Sequence, residues 1–173
     1  VWFCAWQRTS LSIEKGSVAG GRNFYPCFQN HALQGICRMS NLSIGLAGLG
    51  VVGSKTAELL ISQPNYWQNK TGRLISLTAV SARDRNKERG VDLSSVDFEA
   101  NAISLAQRDD IDVVIELIGG SEGPAHTLVE TALHSGKHVV TANKALIAHH
   151  GHALVALAER KGVRLFFEGA VAG

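Results

Sequence analysis

The sequence predicts an α/β fold, in which helices cover both faces of a doubly wound, mostly parallel sheet. From Leu42 onward, short apolar runs alternate with longer amphipathic stretches, a pattern typical of parallel strands joined by helical crossovers. In addition, the run Asp112 to Ile118, DVVIELI, is almost continuously apolar. Such a run is expected for a strand that is buried on both of its faces.

A glycine-rich turn lies between the first predicted strand, Ser43 to Leu49, and a predicted helix from about Val51 to Ile61. In the spacing GxGxxG, Gly48 permits a tight turn, Gly50 lets the backbone approach a pyrophosphate, and Gly53 allows close helix packing. The helix N-terminus then favours the phosphates. This order predicts a Rossmann-type dinucleotide-binding domain. The apolar stripe expected to face the core consists of Val52, Ala57, Leu60 and Ile61.

The middle of the chain is predicted to be less regular. Tyr66 to Arg73 is polar and is predicted as a loop, whereas Leu74 to Val80 is rich in β-compatible residues and is predicted as the second strand. The charged segment Ser81 to Val91 follows and belongs on the surface. We expect a short third strand at Val96 to Phe98 and a helical turn or two over Asn101 to Arg108.

The last third of the chain carries clearer boundary signals. Pro124 precedes an apolar-periodic stretch and Gly136 follows it, which marks the two ends of a helix. The predicted elements after it are the strand Lys137 to Thr141, a helix from Ala145 to Lys161 capped by Gly162, with an interruption at Gly151 left open, and the strand Val163 to Phe167.

The first 38 residues differ from the remainder, since they hold all three cysteines and no sustained apolar periodicity. A transit peptide fits their basic, acid-poor composition. A metal or disulfide module fits Cys4, Cys27 and Cys37 less well, because their number is odd and no CxxC spacing occurs. We favour a third interpretation, in which Met39 is the natural start. The predicted domains are a non-native or disordered leader over 1–38 and a dinucleotide-binding domain over 39–173, truncated before a substrate and dimerisation domain.

Composition excludes several classes of function. The 17 basic and 15 acidic residues give a net charge of +2, so nucleic acid is not a predicted partner. No apolar run reaches the roughly 20 residues of a membrane span, and no membrane partner is predicted. The absence of cysteine from Met39 onward indicates that there is no disulfide framework and predicts a cytoplasmic protein.

Polar side chains follow the predicted strands at the edge where open α/β sheets bind ligands. After the second strand, an acid would bond the ribose 2′-hydroxyl of NAD, whereas an arginine accommodates the 2′-phosphate of NADP. Arg83 stands there, and the first acid, Asp84, comes three residues into the loop, so NADP is favoured unless the segment is an ordinary solvated surface. Glu116 is either a functional carboxylate or the first polar side chain at a strand end.

Lys144 opens the helix that follows the strand Lys137 to Thr141. At this edge, a cation can orient the nicotinamide carboxamide or a substrate oxygen on which negative charge develops. Elsewhere, it would be an ordinary surface cation. The nearby histidines, His149, His150 and His152, are predicted as a solvated face and not as a metal site, because no acid or cysteine converges on them in the sequence.

Four segments in this order, GLAGLGVVGS, DVVIELIGG, GKHVVTANKALIA and FFEGAVAG, resemble the N-terminal nucleotide-binding region of homoserine dehydrogenase, from about Leu42 to Gly173. The resemblance implies an oxidoreductase that interconverts L-homoserine and L-aspartate 4-semialdehyde in threonine, methionine and isoleucine biosynthesis. It implies NADP as the preferred cofactor and NAD as the alternative. It also implies that the full-length protein is a homo-oligomer, and that this chain is a cofactor-binding fragment inactive alone.

The resemblance implies roles for individual residues. Lys144 matches the family's first active-site lysine, close to the nicotinamide and the substrate. Glu168, Val171 and Gly173 match the start of a loop that binds a sodium ion in some members. The residues implied or predicted along the cofactor are Gly48, Gly50, Val51, Val52, Gly53, Arg83, Ile118, Gly119 and Lys144.

Two other functions stay open. One is another Rossmann oxidoreductase with a lysine active site, acting on a sugar or an amino acid. Asn143 tells against it, because many sugar enzymes have a glutamate before that lysine. The other is a non-catalytic module that senses NAD(P), for which the EGAVAG ending has no evident use.

Overall fold

The computed structural model describes residues 41–167, which form one six-stranded sheet and five helices. The strands are β1 (Leu42–Ala47), β2 (Ile75–Ser81), β3 (Asp97–Glu99), β4 (Val113–Glu116), β5 (His138–Thr141) and β6 (Leu165–Phe167). The helices are α1 (Val51–Ser62), α2 (Pro64–Thr71), α3 (Ala102–Gln107), α4 (Pro124–His134) and α5 (Lys144–Lys161). The strand order is β3-β2-β1-β4-β5-β6 and every pairing is parallel, which confirms the predicted doubly wound fold.

The core consists of two apolar layers, one on each face of the sheet. Helices α3, α4 and α5 pack in one layer, and α1 packs in the other. Adjacent strand residues divide between the layers: Val114 belongs to the first and Val113 to the second. Because β4 is covered on both faces, its sequence is almost continuously apolar, as predicted. None of the described helices is both long enough and apolar enough to cross a membrane.

Strand β1 lies at the centre of the sheet, where the order of connection reverses. Ala47 at its carboxyl end is in register with Ser81 of β2 and with Glu116 of β4. Two backbone hydrogen bonds continue the alignment beyond the strands, from Gly48 N to Ser81 O (2.9 Å) and from Leu117 N to Ala47 O (2.8 Å). Three strands therefore end at one level around the switch point, the place where open α/β folds bind ligands.

The prediction of a loop over Tyr66 to Arg73 is wrong, because helix α2 occupies most of that segment. Pro64 begins the helix, and Gly72 ends it in the left-handed conformation at φ 70°, donating its N–H to Gln68 O. Trp67 anchors the helix through a bond from Nε1 to Leu59 O (2.9 Å). Since no residue of α2 is buried, the sequence shows no apolar periodicity there.

Other expectations about helices need correction. Val52, predicted to face the core, is 62% exposed, because it lies in the first turn of α1 beyond the edge of the sheet, whereas Ala57 is buried as predicted. Helix α5 continues through Gly151 without interruption and ends at the predicted cap Gly162. The remaining predicted strands and helices are present, with boundaries shifted by a few residues at most.

Candidate functional site

The glycine turn after β1 contacts the loop that follows β4. Gly48 has a φ of +95°, and a Cβ atom there would lie 2.4 Å from Leu117 O. A Cβ at Gly53 would lie 1.8 Å from Gly48 O, so α1 packs directly on the turn. The predicted structural roles of these two glycines therefore follow from atoms of the protein itself.

Gly50 differs from its two neighbours in the motif. Its φ of −75° is accessible to any residue, and a Cβ there would meet no atom within 4 Å. Neither backbone conformation nor packing within the described residues requires glycine at this position. If glycine is required here, the reason would be a bound molecule that approaches the Gly50 backbone closely.

The N-terminus of α1 lies at the same edge. Gly50 is the N-cap, with no side-chain capping bond and no acidic residue in the first turn. The first N–H groups of a helix have no intrahelical acceptors and carry partial positive charge. Val51 is 91% exposed, which leaves this end of the helix accessible. The arrangement is suited to an anion.

Glu116 is a buried carboxylate that shapes the loop after β4. Its Oε1 accepts hydrogen bonds from Ile118 N (2.7 Å) and Gly119 N (3.0 Å), and its Oε2 accepts one from Thr141 Oγ1 (2.5 Å). Gly119 has a φ of +85°. The sequence left two interpretations open, a functional carboxylate or the first polar side chain at a strand end. These contacts support a structural role instead, in which the Glu116 side chain fixes the conformation of the loop after β4.

Asn143 continues this network to the N-terminus of α5. Its backbone N–H donates to Thr141 Oγ1 (3.0 Å), and its Nδ2 donates to Gly120 O (2.6 Å). Its Oδ1 accepts from Leu146 N (3.1 Å) and thereby caps α5. Lys144 is the first residue of this helix and is exposed. The network fixes the backbone of Lys144 relative to the loop of Ile118 and Gly119.

The charged loop after β2 begins beside the glycine turn. Arg83 is exposed two residues beyond Ser81, whose carbonyl accepts the Gly48 N–H. Asp84, the first acid there, uses its Oδ1 to accept from Asn86 N (2.8 Å), forming a turn within the loop. The strand end itself therefore carries no carboxylate, as the sequence predicted.

Sequence reasoning missed Arg89. Its guanidinium donates to the carbonyl oxygens of Lys87 (2.6 Å) and Asp84, and more weakly to Leu49 O (3.4 Å) in the glycine turn. Arg89 thus ties the charged loop to the turn. Nothing in a single sequence separates this arginine from its charged neighbours, because its partners are backbone carbonyls.

The histidine prediction is wrong in one respect, since an acid does converge on them. Glu122 Oε1 lies 2.8 Å from His150 Nε2, and this bond holds the pKa of the Glu122 carboxyl below its usual value. The rings of His126 and His150 stack with centroids 4.2 Å apart. Glu122 is 28 positions away from His150, so only the packing of α4 on α5 reveals the group.

The predicted sodium ligands Glu168, Val171 and Gly173 lie outside the described residues. The other predicted site residues all follow carboxyl ends of strands. Gly48 to Gly53 follow β1, Arg83 follows β2, Ile118 and Gly119 follow β4, and Lys144 follows β5. The structure therefore places them along one edge of the sheet.

A doubly wound sheet with a glycine turn and an open helix N-terminus at its switch point is the arrangement of a dinucleotide-binding domain. Residues 48–168 match the family model described as "Homoserine dehydrogenase, NAD binding domain". The chain belongs to the homoserine dehydrogenase family.

Comparison with individual proteins agrees. The chain is 43% identical over 135 residues to the homoserine dehydrogenase of Pseudomonas aeruginosa, covering 78% of this chain and 30% of that protein. The Bacillus subtilis homoserine dehydrogenase is 38% identical, with 31% of its length covered. The crystal structure of the Thiobacillus denitrificans homoserine dehydrogenase superposes with a TM-score of 0.70 at 39% identity over 78% of this chain and 31% of that one. The chain thus spans about a third of the length of its relatives.

Proposed function

We propose that this chain supplies the cofactor-binding part of a homoserine dehydrogenase that prefers NADP and interconverts L-homoserine and L-aspartate 4-semialdehyde. The proposed domain extends over 39–173. The observation that carries the proposal is the common edge of the sheet, where the glycine turn, the loop of Ile118 and Gly119, and Lys144 follow neighbouring strands. The family match and the relatives' names supply the substrate. The sodium ion at Glu168, Val171 and Gly173 remains a prediction from the sequence.

At the adenosine end, the pyrophosphate would lie over the α1 N-terminus, against the backbone of Gly48, Gly50, Val51 and Val52. The open space beside Gly50 supports this placement. Arg83 would pair with the 2′-phosphate, because a guanidinium is a strong phosphate partner. The loop around it offers further cationic groups from Arg85 and Lys87.

At the reacting end, the bound nicotinamide supplies the hydride that converts the aldehyde to an alcohol. Ile118 and Gly119 would orient the ring, in the backbone conformation that Glu116 imposes. Lys144 would stabilise the negative charge that develops on the carbonyl oxygen and support transfer of a proton to it. The Asn143 cap holds the backbone of that lysine in position.

Arg83→Ala should weaken NADPH binding by about 10- to 100-fold, since hydrogen bonds to charged groups contribute about 1.5–3 kcal/mol each. NADH affinity should stay the same, because NADH has no 2′-phosphate. Fluorescence titration of the 173-residue chain with each cofactor measures both. Arg160→Ala is the matched control, because it also removes an exposed arginine but lies in the last turn of α5, at the end of that helix opposite to Lys144.

Arg89→Ala provides the contrast to Arg83→Ala. Since Arg89 joins the loop to the glycine turn, its loss should weaken NADPH and NADH together. If Arg83→Ala leaves NADPH affinity unchanged while NADH affinity falls, the assignment of NADP is wrong.

Lys144→Ala should lower kcat by about 10²- to 10⁴-fold, the range of general acid–base contributions. The assay uses a chimera in which residues 41–167 replace the matching segment of the Pseudomonas aeruginosa homoserine dehydrogenase, so that the remainder of that protein is present. NADPH oxidation with aspartate semialdehyde is followed at saturating cofactor.

Lys161→Ala, at the opposite end of α5, is the control and should retain the parent rate. A chimera that folds and binds NADPH but does not oxidise it would contradict the proposed function. A Lys144→Ala chimera with the parent kcat would contradict the role of the lysine alone.

A further inference from the structure

A cluster of metal-ligating side chains lies between α4 and α5. It consists of Glu122, His126 and His150, which we call the Glu-His-His cluster. One ligand atom from each residue lies within 4.8 Å of the other two. Glu122 and His126 lie on one stretch of chain that enters the first turn of α4, and His150 lies in the second turn of α5, so two separate backbone segments contribute to the cluster.

The fold holds this cluster together independently of any ligand. Helices α4 and α5 share one apolar layer, in which Leu128, Leu133, Leu146 and Leu154 are buried. Packing in that layer fixes the spacing of the two histidine backbones. Both histidines are half-buried, whereas the Glu122 side chain is 72% exposed. The histidines are therefore constrained, while the carboxylate can rotate.

The donors have the chemistry of a zinc site. Two imidazoles and one glutamate, with water in the fourth position, are a common ligand set of Zn²⁺. Ligand bonds of about 2.1 Å allow two donors to be at most about 4.2 Å apart. A separation of up to 4.8 Å therefore needs only a small closure. Because the rings of His126 and His150 are stacked with an interplanar angle of 24°, ligation also requires these rings to rotate so that one nitrogen of each faces the ion.

The Glu122 carboxylate already lies beside one of the two imidazoles, with Oε1 2.8 Å from His150 Nε2. Ligation of a metal ion would replace this hydrogen bond by bonds from both groups to the ion.

We propose that Glu122, His126 and His150 form a binding site for a late first-row divalent metal ion, with Zn²⁺ as the best fit. This site shares no residue with the sodium ligands predicted from the sequence, Glu168, Val171 and Gly173, and its existence does not depend on the proposed function. An ion bound there would fasten the segment from Gly119 to Gly123 to both helices.

The test uses the full 173-residue chain, freed of metal by chelation and then titrated with Zn²⁺ by calorimetry and with Co²⁺ by visible absorption. Cys4, Cys27 and Cys37 are replaced by serine in the test protein, because thiolates outside the cluster also bind these ions. The expected result is one ion per chain and Co²⁺ bands of a four- or five-coordinate site without a thiolate charge-transfer band.

Two substitutions identify the ligands. His126→Phe keeps an aromatic ring stacked on His150 but removes the ligand, and Glu122→Gln keeps the shape of the side chain. Each should weaken Zn²⁺ by about 100-fold, since loss of even a supporting contact to a metal ligand costs about 10- to 100-fold. His152→Phe, an exposed histidine on α5 outside the cluster, should bind as the parent does.

Urea unfolding without metal shows whether each variant is folded. If a folded His126→Phe binds Zn²⁺ as the parent does, or if the cysteine-free chain does not bind Zn²⁺ at micromolar concentrations, the proposal is overturned. In the second case, the cluster is a hydrogen-bonded ion pair and nothing more. Neither result bears on dinucleotide binding, so this proposal and the proposed function fail separately.

Discussion

Gly53→Ala is expected to lower the free energy of unfolding by about 3 kcal/mol and to abolish dinucleotide binding. The added Cβ would lie 1.8 Å from Gly48 O, which belongs to backbone and cannot rotate away. Alanine gains about 1 kcal/mol over glycine in a helix interior, but overpacking by this amount costs about 1–3 kcal/mol and sometimes more. The clash therefore outweighs the propensity.

The reason that binding is lost with stability is geometric. To relieve the contact, α1 must move away from the turn, and its N-terminus moves with it. The same N–H groups are proposed to bind the pyrophosphate. Urea unfolding measures the first effect, and NADPH fluorescence titration below the unfolding transition measures the second.

Gly50→Ala is the matched control for Gly53→Ala. Gly50 has a φ of −75°, and no atom lies within 4 Å of the new Cβ. Alanine is a poorer N-cap than glycine, but it also reduces the conformational entropy of the unfolded chain, and these two effects on stability oppose each other. The free energy of unfolding should therefore change by less than about 1 kcal/mol. Dinucleotide affinity should still fall, because the methyl group would stand between backbone and phosphate. A Gly50→Ala chain that binds NADPH as tightly as the parent would remove the pyrophosphate from this turn.

The features that the sequence predicted are those encoded by neighbouring residues. The strand, turn and helix around Gly48 occupy about twenty consecutive positions, and the apolar run ending at Ile118 shows by itself that β4 is covered on both faces. Their local patterns agree with the tertiary structure, which is why order, type and approximate bounds were all predicted.

The features that escaped prediction depend on contacts between distant positions or on backbone partners. Glu122 meets His150 only because α4 packs on α5. Arg89 binds carbonyl oxygens, which every residue carries. Helix α2 is held by Pro64, Gly72 and the Trp67 bond to Leu59, without a buried face to produce periodicity. Composition and periodicity contain no record of such contacts.

The role of Glu116 also depends on backbone partners and on a distant residue, Thr141, and so could not be predicted from the sequence. Its substitution has the second large effect that the structure predicts. Glu116→Ala is expected to lower the free energy of unfolding by about 3 kcal/mol, because the N–H groups of Ile118 and Gly119 and the hydroxyl of Thr141 lose their acceptor. Each unsatisfied buried group costs about 1–3 kcal/mol, and partial hydration of the first two lowers the sum. Urea unfolding at neutral pH measures it.

Glu116→Gln separates the hydrogen bonds from the shape of the side chain. Its carbonyl oxygen still accepts from Ile118 N and Gly119 N, but its amide nitrogen now faces Thr141 Oγ1, which already accepts from Asn143 N. Only the hydroxyl proton of Thr141 loses its acceptor, so the cost should be about 1 kcal/mol. The double variant Glu116→Gln/Thr141→Val should lose less stability than the sum of the losses in the two single variants, because both substitutions remove the same hydrogen bond.

The same variants test whether the loop after β4 belongs to the cofactor site. If Ile118 and Gly119 line the nicotinamide, Glu116→Ala should lower the affinities for NADPH and NADH equally. The loop would lose its fixed conformation next to the nicotinamide, which both cofactors share. Glu116→Gln, which keeps both loop bonds, should bind as the parent does. If Glu116→Ala is destabilised yet binds both cofactors normally, the carboxylate serves folding alone and the nicotinamide lies elsewhere along the edge.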